Sequence, residues 1–147
     1  MKITDKVIRK VLHHDVSREK MWWYWTTSEG LKSFFCESCK IEITPLGAYE
    51  IYFSMEWAEG ERGSEGCKVL SYLPGKMLSF TWNAPPKHEE VRNHTYKTWV
   101  VLEFDEKSLT LTHLGWPEGD KWDAVYEYFD QAWSYVFEKL SRACKVL

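Results

Sequence analysis

The stretch from Trp122 to Leu147 constrains the fold more than any other part of the chain. Apolar side chains recur there in steps of three and four, which predicts a helix with one apolar side. This apolar side comprises Trp122, Val125, Tyr126, Phe129, Trp133, Val136, Phe137, Leu140 and Ala143. Asp120 can accept hydrogen bonds from the first free amides, and Arg142 suits the negative end of the helix dipole. At about 1.5 Å per residue the helix is roughly 35–40 Å long, so it needs a large apolar surface to pack against.

The chain before this helix changes its hydrophobic period from helical to alternating. Val7–His14 alternates and predicts a first strand, and Ser17 and the run Thr26–Glu29 carry the capping residues of two short helices. From residue 40 onward the period is two, with short turns between the segments. The six further predicted strands are Lys40–Thr44, Tyr49–Met55, Cys67–Leu73, Met77–Asn83, Tyr96–Asp105 and Ser108–Leu114.

These elements predict a single α+β domain that covers residues 1–147. Short turns make consecutive strands antiparallel neighbours, so we expect a twisted seven-stranded antiparallel sheet with one apolar face. That face is the surface which the C-terminal helix requires. With 147 residues and 44% hydrophobic content, the chain is long enough to bury a sizeable core.

Composition and charge exclude some classes of partner. A net charge of -3 and a pI near 6.0 give no reason to expect nucleic-acid binding. The N-terminus lacks an apolar signal segment, and no stretch approaches the roughly 20 apolar residues of a membrane span. We therefore expect a cytoplasmic protein with reduced thiols, in which the spacing of Cys36 and Cys39 is either incidental or a weak metal or redox signal. We expect no metal and no cofactor.

Histidines are the remaining candidates for chemistry. His113 follows the alternating Leu109 and Leu111, so it could share their face and place an imidazole in an apolar pocket. The simpler alternative is a hydrogen-bonded histidine at a strand end. No metal motif and no nucleophile elbow is present in the sequence, and no catalytic constellation emerges from spacing alone.

Several local patterns, in order along nearly the whole chain, resemble one known family. They are Met21–Phe35, Gly47-Ala48-Tyr49, Gly66 with Val69-Leu70, Pro74–Trp82, Leu109–Trp116, and the late Trp133 with Leu140. The run resembles proteins similar to the C-terminal domain of the heat-shock protein 90 ATPase activator (AHSA-type), within the START-like or SRPBCC superfamily. Leu46 replaces one of the paired glycines of that pattern, and Phe34-Phe35 with the two cysteines replaces its Trp-rich segment.

The resemblance implies the helix-grip fold of the major birch pollen allergen, in which a curved antiparallel sheet wraps around a long C-terminal helix. Members of the superfamily bind lipids, steroids and polyketides in the cavity between the sheet and the helix, and a minority are cyclases or hydrolases. The family supplies no shared catalytic residue, so no catalytic residue is predicted.

The leading hypothesis is a binding domain for an apolar or amphipathic small molecule, such as a lipid, a sterol or a polyketide. Its predicted walls are Tyr49, Ile51, Phe53, Leu70, Phe80, Trp82, Val100, Leu102, Leu111, Tyr126, Phe129 and Trp133, with Thr98 and His113 as polar anchors. The competing interpretation is that these aromatic side chains meet and fill the space. Two alternative functions are a chaperone-activator-like interaction module, exposing an apolar patch near Trp57, and a cyclase or hydrolase using His113 or His14. A monomer and a homodimer are both compatible with the sequence.

Overall fold

The computed structural model describes residues 1–145, and it contains seven strands, three short helices and one long helix. In chain order these are β1 (Ile8–His13), α1 (Arg18–Thr26), α2 (Ser28–Lys32), β2 (Ser38–Ile41), β3 (Tyr49–Tyr52), β4 (Val69–Leu73), β5 (Met77–Thr81), α3 (Glu89–Arg92), β6 (Trp99–Phe104), β7 (Ser108–Leu114) and α4 (Asp120–Lys145). Val146 and Leu147, the end of the predicted helix, lie outside the described residues. This α+β order is the predicted helix-grip arrangement, with α3 as an element that the sequence did not predict.

The strands form an antiparallel surface in two sections. Five of them pair in the order β1-β7-β6-β5-β4, and β2 pairs with β3 in a separate hairpin. Backbone hydrogen bonds join the sections: Tyr49 N–H donates to Cys67 C=O, and Val69 N–H donates to Gly47 C=O, both at 2.8 Å. The seven predicted strands are therefore present, although the ladder between β3 and β4 is reduced to a short bridge.

The turn before β3 is strained at one residue. Leu46 has a φ of 63°, a left-handed conformation that normally requires glycine. An L side chain there costs about 1–2 kcal/mol. The leucine noted in the sequence therefore makes this turn energetically less favourable than a glycine would.

The first two helices begin at the predicted capping residues. The Ser17 side chain accepts a hydrogen bond from Lys20 N–H at the start of α1, and Thr27 accepts one from Gly30 N–H at the start of α2. Because Thr27 is both the end of α1 and the cap of α2, the chain turns sharply there. The two helices then cover one end of the sheet.

Helix α4 packs its apolar side against the sheet. Its buried side chains are Val125, Phe129, Trp133, Val136, Phe137 and Leu140. Ion pairs at the rim tie it to the first strand and the segment before it: Lys6 to Asp123 at 3.0 Å and Lys10 to Asp130 at 2.9 Å. These pairs are partly exposed and contribute little stability, so the apolar contact holds the helix in place. No helix within residues 1–145 is long and apolar enough to cross a membrane.

Candidate ligand-binding cleft

His113 lies at the centre of the contact between the sheet and α4. Burial alternates along β7, with Leu109, Leu111 and His113 all fully inaccessible to solvent. The ring packs against Trp116, with centroids 4.5 Å apart, and against Phe129 at 5.2 Å. The prediction that His113 shares the face of the two leucines is confirmed.

The hydrogen bonds of His113 fix its protonation state. Trp133 Nε1 donates to His113 Nδ1 at 3.0 Å, and an indole N–H can only donate. The proton of a neutral imidazole must then lie on Nε2, which donates to Thr98 Oγ1 at 2.7 Å. Burial lowers the pKa of His113 from 6.5 to about 3, so the ring is neutral at physiological pH.

These contacts change the role predicted for Thr98 and His113. Both ring nitrogens and the threonine hydroxyl are used inside the protein, and neither residue lines a cavity in the described chain. A ligand would have to break a fully satisfied buried network to reach them. The two residues are better described as the polar centre of the core than as ligand anchors.

Most of the predicted wall residues fill the space between the sheet and α4. Tyr49 stacks on Phe80 with centroids 4.2 Å apart, and its hydroxyl donates to Trp25 C=O at 2.7 Å. The predicted wall residues that are buried in this core without lining the cavity are Tyr49, Ile51, Phe80, Val100, Leu102 and Leu111. Tyr126 is partly buried beside Trp116, and its hydroxyl donates to Val7 C=O.

Leu70 was predicted as a wall residue, and the structure places it on the outside. Its side chain is 39% exposed, whereas Val69 beside it is fully buried. The pairing of β4 with β5 shifts between Val69 and Ser71, so two successive side chains point away from the core. A bulge of this kind interrupts the alternation on which the prediction relied.

A cavity remains at one end of the contact, toward the C-terminal half of α4. Its volume is about 240 Å³, and we call it the cleft. It is lined by Phe35, Phe53, Trp57, Gly63, Ser64, Trp82, Asn83, Pro85, Pro86, Tyr128, Phe129, Ala132, Trp133, Tyr135, Val136 and Lys139. Four of the predicted wall residues belong to it: Phe53, Trp82, Phe129 and Trp133.

A buried arginine, Arg92, fastens the loop between β3 and β4, which borders the cleft. Arg92 Nη1 donates to Ala84 C=O at 2.5 Å, and Nη2 donates to Gly60 C=O at 2.6 Å and lies 3.3 Å from Glu65 Oε1. Burial alone would raise the pKa of Glu65, but loop N–H donors and the Arg92 charge outweigh it and lower that pKa. This loop supplies one wall of the cleft, so the arginine fixes the shape of the entrance.

A second depression, of about 760 Å³, lies between α3 and the start of α4. Five of the ten residues that line it are charged, among them Lys87, Glu90 and Asp120. Binding sites for small organic molecules are lined mainly by apolar residues with few polar groups, and the smaller cleft fits this description better because one of its sixteen lining residues is charged.

Comparison with known proteins places the chain in a family. The family model described as activator of Hsp90 ATPase homolog 1-like protein (AHSA1) matches residues 15–145. The chain belongs to this family. No curated protein matches the sequence of this AHSA1-like chain.

Solved structures share the fold of this AHSA1-like protein at low identity. Protein MLL2253 from Mesorhizobium loti is 18% identical with a TM-score of 0.73, over 97% of this chain and 100% of that one. The Aha1 dimer from Colwellia psychrerythraea is 17% identical with a TM-score of 0.65, over 96% and 97%. Protein NE0264 from Nitrosomonas europaea is 17% identical with a TM-score of 0.66, over 95% and 94%. These neighbours establish that the chain has an AHSA1-like fold.

The remaining sequence candidates, Cys36, Cys39 and His14, do not line the cleft of the AHSA1-like domain. Cys36 and Cys39 are half-buried free thiols, and burial together with Cys39 raises the pKa of Cys36 to about 12, which disfavours a reactive thiolate. No cluster of three or more potential metal ligands occurs within residues 1–145. His14 Nδ1 lies 3.1 Å from Val16 C=O, and burial lowers its pKa.

Several cleft residues were not predicted from the sequence. Ala132 lies on the apolar side of α4, between Phe129 and Val136. A small residue among large ones leaves space beside the helix, so the sequence did contain a signal for a cavity at this position. Pro85 and Pro86 were interpreted only as a turn, because their position beside the cleft depends on the tertiary fold.

Proposed function

We propose that this AHSA1-like protein binds a small apolar or amphipathic molecule in the cleft between α4, the end of β5 and the loop before β4. The observation that supports the proposal is an unfilled, mainly aromatic cavity beside a core that is otherwise closely packed. Phe53, Trp57 and Tyr135 are exposed at the mouth of this cavity, so it is accessible from solvent, as a binding site must be. All four cysteines are free thiols, which is compatible with our proposal that the protein acts in the cytoplasm.

Filling the cleft is expected to abolish binding without unfolding the protein. In Ala132→Phe, a phenyl ring projects from α4 into the cavity, so we expect at least a tenfold loss of affinity for an uncharged fluorescent probe such as N-phenyl-1-naphthylamine. Titration of probe fluorescence measures the affinity. Ala124→Phe is the matched control, since Ala124 is exposed on the same helix and lies outside the cleft. Absence of saturable probe binding to the unsubstituted protein, or equal binding by both variants, would contradict the proposal.

An exposed apolar patch supports a second candidate, a chaperone-activator-like interaction surface. Trp57 is 52% exposed, Tyr135 is 58% exposed, and Met55 lies in the same loop as Trp57. Exposed aromatic residues of this kind are typical anchors of protein interfaces.

If this surface binds an Hsp90 chaperone, Trp57→Ser is expected to weaken the complex by tenfold or more, because it removes a large anchor. Isothermal titration of the chaperone with each variant tests this. Leu73→Ser is the control, since Leu73 is 56% exposed on β4 and lies outside the cleft. An unchanged affinity in Trp57→Ser, or no complex at all, would reject this candidate.

The cyclase or hydrolase alternative receives no support from the cleft. Neither His113 nor His14 lines it, so neither is within reach of a molecule bound there.

A further inference from the structure

We propose that the ligand of the cleft is an amphipathic carboxylate, whose acid group binds Lys139 and whose apolar part lies against the aromatic walls. This inference rests on the proposed function and adds to it the charge class and approximate size of the ligand. In this inference the polar anchor of the ligand is Lys139, whereas the sequence predicted Thr98 and His113 for that role.

Lys139 is the single charged side chain among the described residues that line the cleft. It is half-buried, and its Nζ lies 5.1 Å from the centroid of the Tyr135 ring. Within residues 1–145 it makes no ion pair: the adjacent Glu138 pairs with Arg142 at 2.9 Å. Burial lowers the pKa of Lys139, because the ammonium loses water without gaining a carboxylate. A ligand carboxylate would supply that missing partner.

The other polar groups of the cleft also favour an acceptor. Asn83 Oδ1 accepts hydrogen bonds from Lys97 Nζ and from Ala84 N–H, both at 3.0 Å, which fixes the orientation of the carboxamide. Its NH₂ group is therefore the end that remains to donate, and it makes no hydrogen bond to another residue within 1–145. Ser64 Oγ accepts from Ile51 N–H at 2.8 Å and donates to Tyr49 C=O at 3.4 Å, so this hydroxyl is already used within the protein. The cleft thus offers the Asn83 NH₂ group as a donor and the positive charge of Lys139.

The dimensions of the cleft limit the apolar part of the ligand. A volume of about 240 Å³ lies below the roughly 300–1,000 Å³ of sites for drug-sized molecules. It corresponds to the liquid volume of about eight water molecules. Along α4 the lining runs from Tyr128 to Lys139, which is about 16 Å at the rise of an α-helix. A long and narrow space suits one alkyl chain or a small aromatic acid better than a sterol.

The direct test compares an acid with the matched alcohol. Decanoate and decan-1-ol have the same chain length, and each is titrated against the protein loaded with N-phenyl-1-naphthylamine, whose displacement reports binding. We expect decanoate to bind about tenfold more tightly than decan-1-ol at low salt, and the difference to shrink at high salt because the ammonium is partly exposed.

Substitution of Lys139 identifies the anchor. Lys139→Met keeps the length of the side chain and removes its charge, so we expect decanoate affinity to fall about tenfold while decan-1-ol and probe affinities change less than twofold. Lys139→Arg should retain the preference for the acid. Lys121→Met is the matched control, an exposed lysine at the other end of the same helix, outside the cleft.

The outcomes separate the two proposals. If the probe and decan-1-ol bind but decanoate binds no better than the alcohol, the carboxylate inference is wrong and the proposed function stands. If decanoate is preferred equally by Lys139→Met and the unsubstituted protein, Lys139 is not the anchor and the inference is overturned. If neither the probe nor either decyl compound binds, both proposals fail. The comparison of decanoate with decan-1-ol uses the unsubstituted protein. It therefore still tests the carboxylate inference if Lys139→Met fails to fold.

Discussion

A chain that ends at Gly119 is expected to lose cooperative folding. Removal of α4 exposes the apolar face of the sheet and the six helix side chains that cover it are lost. At about 1.5–3 kcal/mol for each buried side chain, the contact contributes roughly 9–18 kcal/mol before entropy is counted, an upper estimate. The total stability of a domain is about 5–15 kcal/mol, so no folded state should remain.

Thermal unfolding followed by circular dichroism measures this effect. The full chain should melt in one transition, and the truncated chain should show no transition and little strand signal. A full-length chain with Glu127→Ala and Gln131→Ala, both exposed on α4, is the control for changes to the helix that leave its buried side intact. A cooperative melt of the truncated chain would show that the sheet does not depend on α4.

The fold could be predicted because its strongest signals are local. The apolar side of α4 and the alternation along β7 follow directly from residue order, and Ser17 and Thr27 act as the caps that their positions indicated. The prediction that Leu70 faces the core failed because it relied on a feature that is not local. The bulge at this position depends on how β4 pairs with β5, and the sequence of β4 alone does not indicate it.

The cleft was harder to predict than the fold, because its position depends on where the side chains between the sheet and α4 fail to fill the available volume. Hydrophobic patterning correctly places Tyr49 and Phe80 inside, but it cannot show that the two rings stack and close the centre of the domain. The cavity lies where Ala132 faces the segment at Pro85, two regions far apart in sequence. Lys139 was interpreted as a residue of the polar side of α4, because a lysine stem at the border of an apolar stripe often reaches solvent.

Acid is expected to destabilise the protein through His113. The unfolded chain takes up a proton on this histidine near pH 6.5, whereas the buried ring resists protonation down to about pH 3. The stability that the neutral ring contributes is therefore present above pH 6.5 and is lost as the pH falls toward 3. At about 1.4 kcal/mol per pH unit, lowering the pH from about 7 to about 4.5 should cost roughly 2–3 kcal/mol through this residue.

The variant His113→Gln isolates that contribution. Glutamine can still accept from Trp133 and donate to Thr98, but it does not titrate, so its stability should depend less steeply on pH by roughly 2–3 kcal/mol over the same interval. Urea unfolding at each pH gives the free energies, and His13→Gln, at an exposed position on β1, is the matched control. The other histidines are present in both His113→Gln and the unsubstituted protein, so their contributions cancel when these two are compared. Equal losses in His113→Gln and the unsubstituted protein would mean that the ring takes up its proton in the folded state, and titration of the His113 ring signals by NMR above pH 4.5 would show the same directly.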